Sequence, residues 1–232
     1  MRAGKWAKVF IDGYAVTTYA TDLTVSTKFD ELDTSTYTQD KRYIPGQGDS
    51  SITLDGYLSP TTIAVVAAAA SGKVVSVALG NNAAATIGSP SFSLAAAQSE
   101  ITVTAPKDGL QAGKAKFAAQ QSNGGWGVML TDAVISTDSN GTSVDNGAAT
   151  AAGGAGYLHV YGVSASDTAQ VAIQHSTNNS TWVDLGVFTL NCSALGAERI
   201  EIAGNVYQYV RAEWDVTGTG VAISIAVFFQ RY

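Results

Sequence analysis

The chain has 232 residues, with 24 glycines, 4 prolines, 1 cysteine and 19 acidic against 13 basic side chains, a net charge of −6. That length fits one large domain or two modest ones and can fold without disulfides or metals, and a lone cysteine excludes an internal disulfide and any cysteine-based zinc site. Charged residues make up only 14%, and the acidic balance argues against a nucleic-acid-binding surface, which needs Lys and Arg to displace phosphate counterions.

Small polar residues, rather than Pro and Glu, stand where charges are missing, which predicts a mainly β protein and not disorder. Residues 1–6 include basic side chains but no apolar run, so no secretory signal is expected. Two β-rich runs flank the turn pair Asp12-Gly13 and predict a hairpin. Residues 21–27 and 51–58 alternate in polarity, as half-buried strands do. Between them the polar stretch 28–47 reads as a long loop, a feature that is usually functional in a compact domain. One short α-helix is predicted over about 60–71. Ser59 suits its N-cap, Pro60 its first turn and Gly72 its C-cap, while Ile63, Val66, Ala67 and Ala70 share one face. Strands are predicted at 74–79, 91–94, 100–105, 114–121 and 127–130, with turns at Asn81-Asn82, Lys107-Asp108-Gly109 and Ser122-Asn123-Gly124-Gly125.

Residues 1–136 form the first expected domain. The Gly-, Ala- and Ser-rich stretch 137–156 reads as a linker or loop. Six strands, at 157–163, 169–175, 181–190, 197–203, 207–214 and 221–231, predict a C-terminal all-β sandwich domain over 157–232. Net charge divides unevenly, −1 over 1–136 and −5 over 137–232. The longest apolar runs, 63–70 and 221–229, fall far short of the roughly 20 residues of a membrane helix.

Catalytic patterns are missing. There is no G-x-S-x-G elbow, H-E-x-x-H or dinucleotide fingerprint, so an enzyme is not expected. The run from Gly109 to Ala115 is one residue short of a phosphate loop and reads as a turn before a strand. His159 and His175 fall in predicted strands. With Asp167 they could ligate a metal, but half-exposed sheet positions explain them better. The run from Asp138 to Asp145 lacks the terminal Glu of a calcium loop. Cys192 reads as a small buried hydrophobe, and no cofactor is expected. Trp182, Tyr207, Tyr209 and Trp214 alternate along strands and suit either core packing or a sugar-binding platform. Within 28–47, Lys28, Asp30, Glu31, Asp33, Asp40, Lys41 and Arg42 concentrate both charge signs, as a solvated loop or as a docking segment set in register by a neighbouring copy.

Asp22-Leu23-Thr24-Val25-Ser26 opens into the charged run Asp30-Glu31-Leu32-Asp33, which closes at Tyr43-Ile44-Pro45-Gly46 and leads into the strand from Ser51 to Tyr57. This pattern resembles the N-terminal part of major tail tube proteins of long-tailed, non-contractile bacteriophages (siphophages), over about residues 5–135. The resemblance implies a tail-tube-like β-sandwich or barrel that polymerises as stacked homohexameric rings, a virion conduit for DNA ejection. By position, 28–47 with Tyr43 would be the inter-ring docking loop. Expected partners are further copies of the chain, a tape measure protein, viral DNA passing the lumen without sequence-specific binding, and other tail proteins at the tube ends, with no membrane. Assembly in the host bacterial cytoplasm would end in the virion tail. The run from Val171 to Trp182 resembles β-sandwich modules appended to phage structural proteins. A duplicated tube domain, giving trimeric rings, is a competing reading, disfavoured because the helix signature does not recur. Alternatives are a capsid decoration or head–tail joining protein, and a carbohydrate-binding tail appendage.

Overall fold

The computed structural model describes residues 6–33, 43–57, 72–109, 111–164, 167–218 and 220–232. These are almost entirely β, as the composition predicts. The expected helix at about 60–71 lies outside the described residues.

The Asp12-Gly13 turn joins β1 (Ala7–Ile11) to β2 (Tyr14–Ala15), with φ of 51° and 82° at the two turn residues. Positive φ at both central positions is what a tight hairpin of this hand requires. The stretch 28–47 departs from its expected loop. β3 (Ala20–Asp33) and β4 (Tyr43–Tyr57) pair along a single antiparallel ladder that continues to Asp33 opposite Tyr43, so only 34–42 lies outside the described residues. Polarity did not imply a loop here, because two polar strands satisfy each other's backbone groups as well as apolar ones do.

β5 (Lys73–Leu79) follows, then β6 (Pro90–Thr104) and the 24-residue β7 (Ala112–Ile135). Each of the last two replaces a pair of expected shorter strands. The expected turn at Ser122-Asn123-Gly124-Gly125 is a register break within β7, since Leu94 pairs with Gly124 but Ala96 with Ala119. Gly124 and Gly125 do not reverse the chain: they pair with Leu94 and Ser93 of β6 inside the ladder.

The stretch 137–156 is not a free linker. It carries β8 (Ser139–Asn140) and β9 (Val144–Asp145), both paired with β14 (Tyr209–Thr217), and it ends by entering β10 (Gly154–Val163). The remaining strands are β11 (Thr168–Ser176), β12 (Val183–Val187), β13 (Gly196–Ile202) and β15 (Ile223–Arg231), close to the predicted spans.

One sheet crosses the expected domain boundary. Its order is β13-β10-β15-β7-β6-β5-β1-β2, with β3 and β4 attached through β7. The ladder between β7 and β15 therefore joins the two segments. A second sheet, β12-β11-β14-β8 with β9 also on β14, covers β10, β15 and the end of β7. Between these layers lies a core containing Leu158, Val171, Ile173, Val210, Ile225 and Val227. A separate core, with Val9, Ile52, Val75, Phe92 and Phe117, fills the space between β1, β5, β6 and the β4–β7 pair. A third packs Phe10 and Val74 of β1 and β5 against Tyr157 and Phe228 of β10 and β15. Those strands are distant in sheet order, so the large sheet curls until its far parts meet.

Candidate functional site

β3, β4, β7 and β6 form a four-stranded antiparallel sheet whose faces differ in kind. Period-two alternation sends Leu23, Val25, Ile52, Leu54, Ala115 and Phe117 to one face, where they close the second core. The opposite face carries Asp22, Thr24, Ser26 and Lys28 from β3, Asp49, Ser51, Thr53 and Asp55 from β4, Lys114 and Lys116 from β7, and Glu100 and Thr102 from β6. The register sets opposite charges side by side: Lys28 faces Asp49, Lys114 faces Asp55 and Lys116 faces Glu100. Such cross-strand pairs fix register. At the end of β4 this face also carries the exposed Tyr57, and its three lysines meet four carboxylates.

Both lateral edges of this sheet are open among the described residues. Among the described residues, no strand pairs with the outer edge of β3, and β5 leaves β6 at Ala96, so β6 from Ala97 to Thr104 has only β7 beside it. Unpaired edges are templates for pairing with another chain.

The β3–β4 ladder runs on as a two-stranded arm beyond Ser51 and Ala118, the last pair that β4 makes with β7. Lys28 is exposed at its base, and Asp30, Glu31, Asp33 and Tyr43 lie in its two strands. Asp40, Lys41 and Arg42 lie outside the described residues. Phe29 at the base is 61% exposed.

The four aromatic residues that suit either core packing or a sugar platform have different surroundings. Trp214 is in the core, its Nε1–H donating to Thr137 O at 3.1 Å. Trp182 lies under the Arg211 guanidinium at 4.2 Å. Tyr207 stacks on His175 at 4.1 Å, and Tyr209 is half-buried on β14. Nor are the histidines half-exposed as predicted. His159 is fully buried, its Nε2 2.9 Å from Ser76 Oγ, and burial pulls its pKa down to about 3. His175 is buried as well and accepts from the Tyr207 N–H. Among the described residues, no three His, Cys, Asp or Glu side chains gather so as to hold a metal. Cys192 is buried, and its thiol is pushed up to about 12 by desolvation, then by Glu198.

Sequence reasoning missed Glu100, Ile101, Val103, Lys114 and Lys116. Their signal was present as alternation in Glu100-Ile101-Thr102-Val103 and Lys114-Ala115-Lys116-Phe117. Only pairing with β4 shows that these residues share the sheet of 22–28.

No protein-family model and no curated protein matches the chain. Among solved structures it is similar to a protein from the virion of a native gene transfer agent particle, at 12% identity over 55% of this chain and 98% of that one, with a TM-score of 0.41. It is similar to the SPP1 tail tube at 13% identity, over 51% of this chain and 75% of that one, again with a TM-score of 0.41. Similarity to the SPP1 Dit (gp 19.1) protein, described as a hub adsorption apparatus, spans 97% of this chain and 99% of that one at 10% identity, with a TM-score of 0.30. Scores this low establish no common fold.

Proposed function

We propose that this chain is a structural protein of a phage tail, closing into homohexameric rings that stack as the tail tube. The observation that carries the reading is the amphipathic β3-β4-β7-β6 sheet with two unpaired edges. Strand direction alternates across its four members. Copies set side by side therefore bring β6 of one antiparallel to β3 of the next, which continues the ladder without a break. Closing such a ring removes both open edges of this sheet. Six copies would give a barrel on the order of 24 strands, wide enough to leave an aqueous channel.

The polar face then lines the lumen and the apolar face is the wall's inner packing. Three lysines offset by four carboxylates give passing DNA no excess of positive charge to hold it. A tape measure protein would occupy the same channel before DNA, and other tail proteins would meet the tube ends. The sandwich made with β10 to β15 lies outside the barrel. Virion localisation follows assembly in the host cytoplasm.

Hydrogen–deuterium exchange with electron microscopy tests this. Backbone amides on the outer edge of β3 and in 98–104 of β6 should exchange freely in monomers and become protected in rings. A protein that stays monomeric in all salts, with those amides already protected, would overturn the proposal.

A further inference from the structure

Three exposed apolar side chains lie on the wall-side face of the open-edged sheet, at its two ends. Phe29 is 61% exposed where the arm leaves the body, with Gly48 opposite it on β4. A Cβ at Gly48 would come within 3.0 Å of the Phe29 ring, so the glycine gives that ring its seat. Ile101 and Val103 on β6 are 38% and 45% exposed. They pair with Ala115 and Gly113 on β7, which pair in turn with Leu54 and Gly56 on β4. Gly56 is level with Ala20, the first residue of β3. From Ala20 to Phe29 the strand climbs roughly 25–30 Å at the usual rise. One apolar face thus ends in a projecting ring at the top and a bare β-branched ledge at the bottom.

We propose that these are the two halves of one axial contact: Phe29 of each copy packs on Ile101 and Val103 of a copy in the next ring. The inference rests on the ring-and-tube reading above and names the surface on which the arm lands. Lateral closure pairs the strand edges but leaves both patches on opposite rims. A shift along the strand direction brings the upper patch of one ring to the lower patch of another, on the same face. A different partner would need only one of them. Donor and acceptor are different surfaces, so the contact is heterologous and propagates without closing, as a filament does. It also fixes a polarity for the tube.

Charge at either patch provides the test. Phe29→Asp and Val103→Asp are made singly in the full chain, with melting curves checking that each folds as the wild type does. Sedimentation and electron microscopy should show rings from both variants, with tube length reduced at least tenfold. Mixing preformed rings of the two should restore one contact only, because Phe29 of the Val103→Asp rings can seat on the intact ledge of the Phe29→Asp rings. The expected product is a two-ring stack. Tubes of wild-type length from either variant, or a mixture that stays as single rings, would overturn the inference. If the wild-type chain itself forms no rings, it is the ring reading that fails.

Discussion

At Asp12-Gly13 the chain reverses with both residues at positive φ, and the turn lands on β13 so closely that a Cβ on Gly13 would be 2.4 Å from Gly196 N. Two separate demands, backbone conformation and backbone approach, therefore fall on one glycine. Gly13→Ala should cost about 2–3 kcal/mol, measurable by urea denaturation, since neither the turn nor β13 can yield cheaply. Beside it, the buried His159 accepts from the Gly13 N–H on Nδ1 and meets Ser76 through Nε2. This is the neutral ring, boxed in by Phe10 and Phe228. Its folded pKa, near 3 against an ordinary 6.5, means that between these values the unfolded chain binds a proton that the folded one does not. Stability should therefore fall as pH drops from about 6.5 toward 3. His159→Asn should flatten that slope, while His175, lowered in the same direction by burial, keeps its share.

Elements show a comparable balance on the outer face of the second sheet. β14 places Glu213 beside Asp215, across from Ala172 of β11 and near Arg211. Partial burial, then Asp215 and Asp184, raise its carboxyl from 4.5 to about 7, and Arg211 only partly opposes them. Below 4.5 both states are protonated and nothing is lost. As pH rises through 7 the folded carboxyl is forced to ionise, and stability falls. Glu213→Gln should raise the denaturation midpoint at pH 8 and leave it unchanged at pH 4. Longer-range consequences follow from β7, whose first part serves the open-edged sheet and whose last part pairs with β15. One strand thus walls all three cores, with Ala115 and Phe117 in one, Met129 in another and Leu130 and Ile135 in the third.

For the whole molecule, that sharing decides cooperativity. β15 loses a neighbour and Tyr157 and Phe228 lose their cover if residues 1–136 are removed. Expressed alone, 157–232 should show poor amide dispersion by NMR and rapid proteolysis, while the full chain unfolds in one transition. A well-dispersed spectrum from the fragment would mean that the two segments fold independently. In the other direction, no strand among the described residues covers the outer edges of β3 and of β6 beyond Ala96, and under the proposed ring reading other copies complete them.

Alternation, turn pairs and low charge settled by themselves that the chain is mainly β, where its first hairpin turns, and roughly where its last six strands lie, because these are relations between residues a few positions apart. The polar arm was legible as a charged segment but not as a ladder, since hydrogen bonds between 28–33 and 43–49 leave no mark on side-chain periodicity. The burial of His159 and Trp214, the continuity of one sheet across 137–156, and the pairing of Lys116 with Glu100 depend on strands brought together from far along the chain. An open edge is a still less local property. Whether a strand has a neighbour is decided only when every other strand has taken its place.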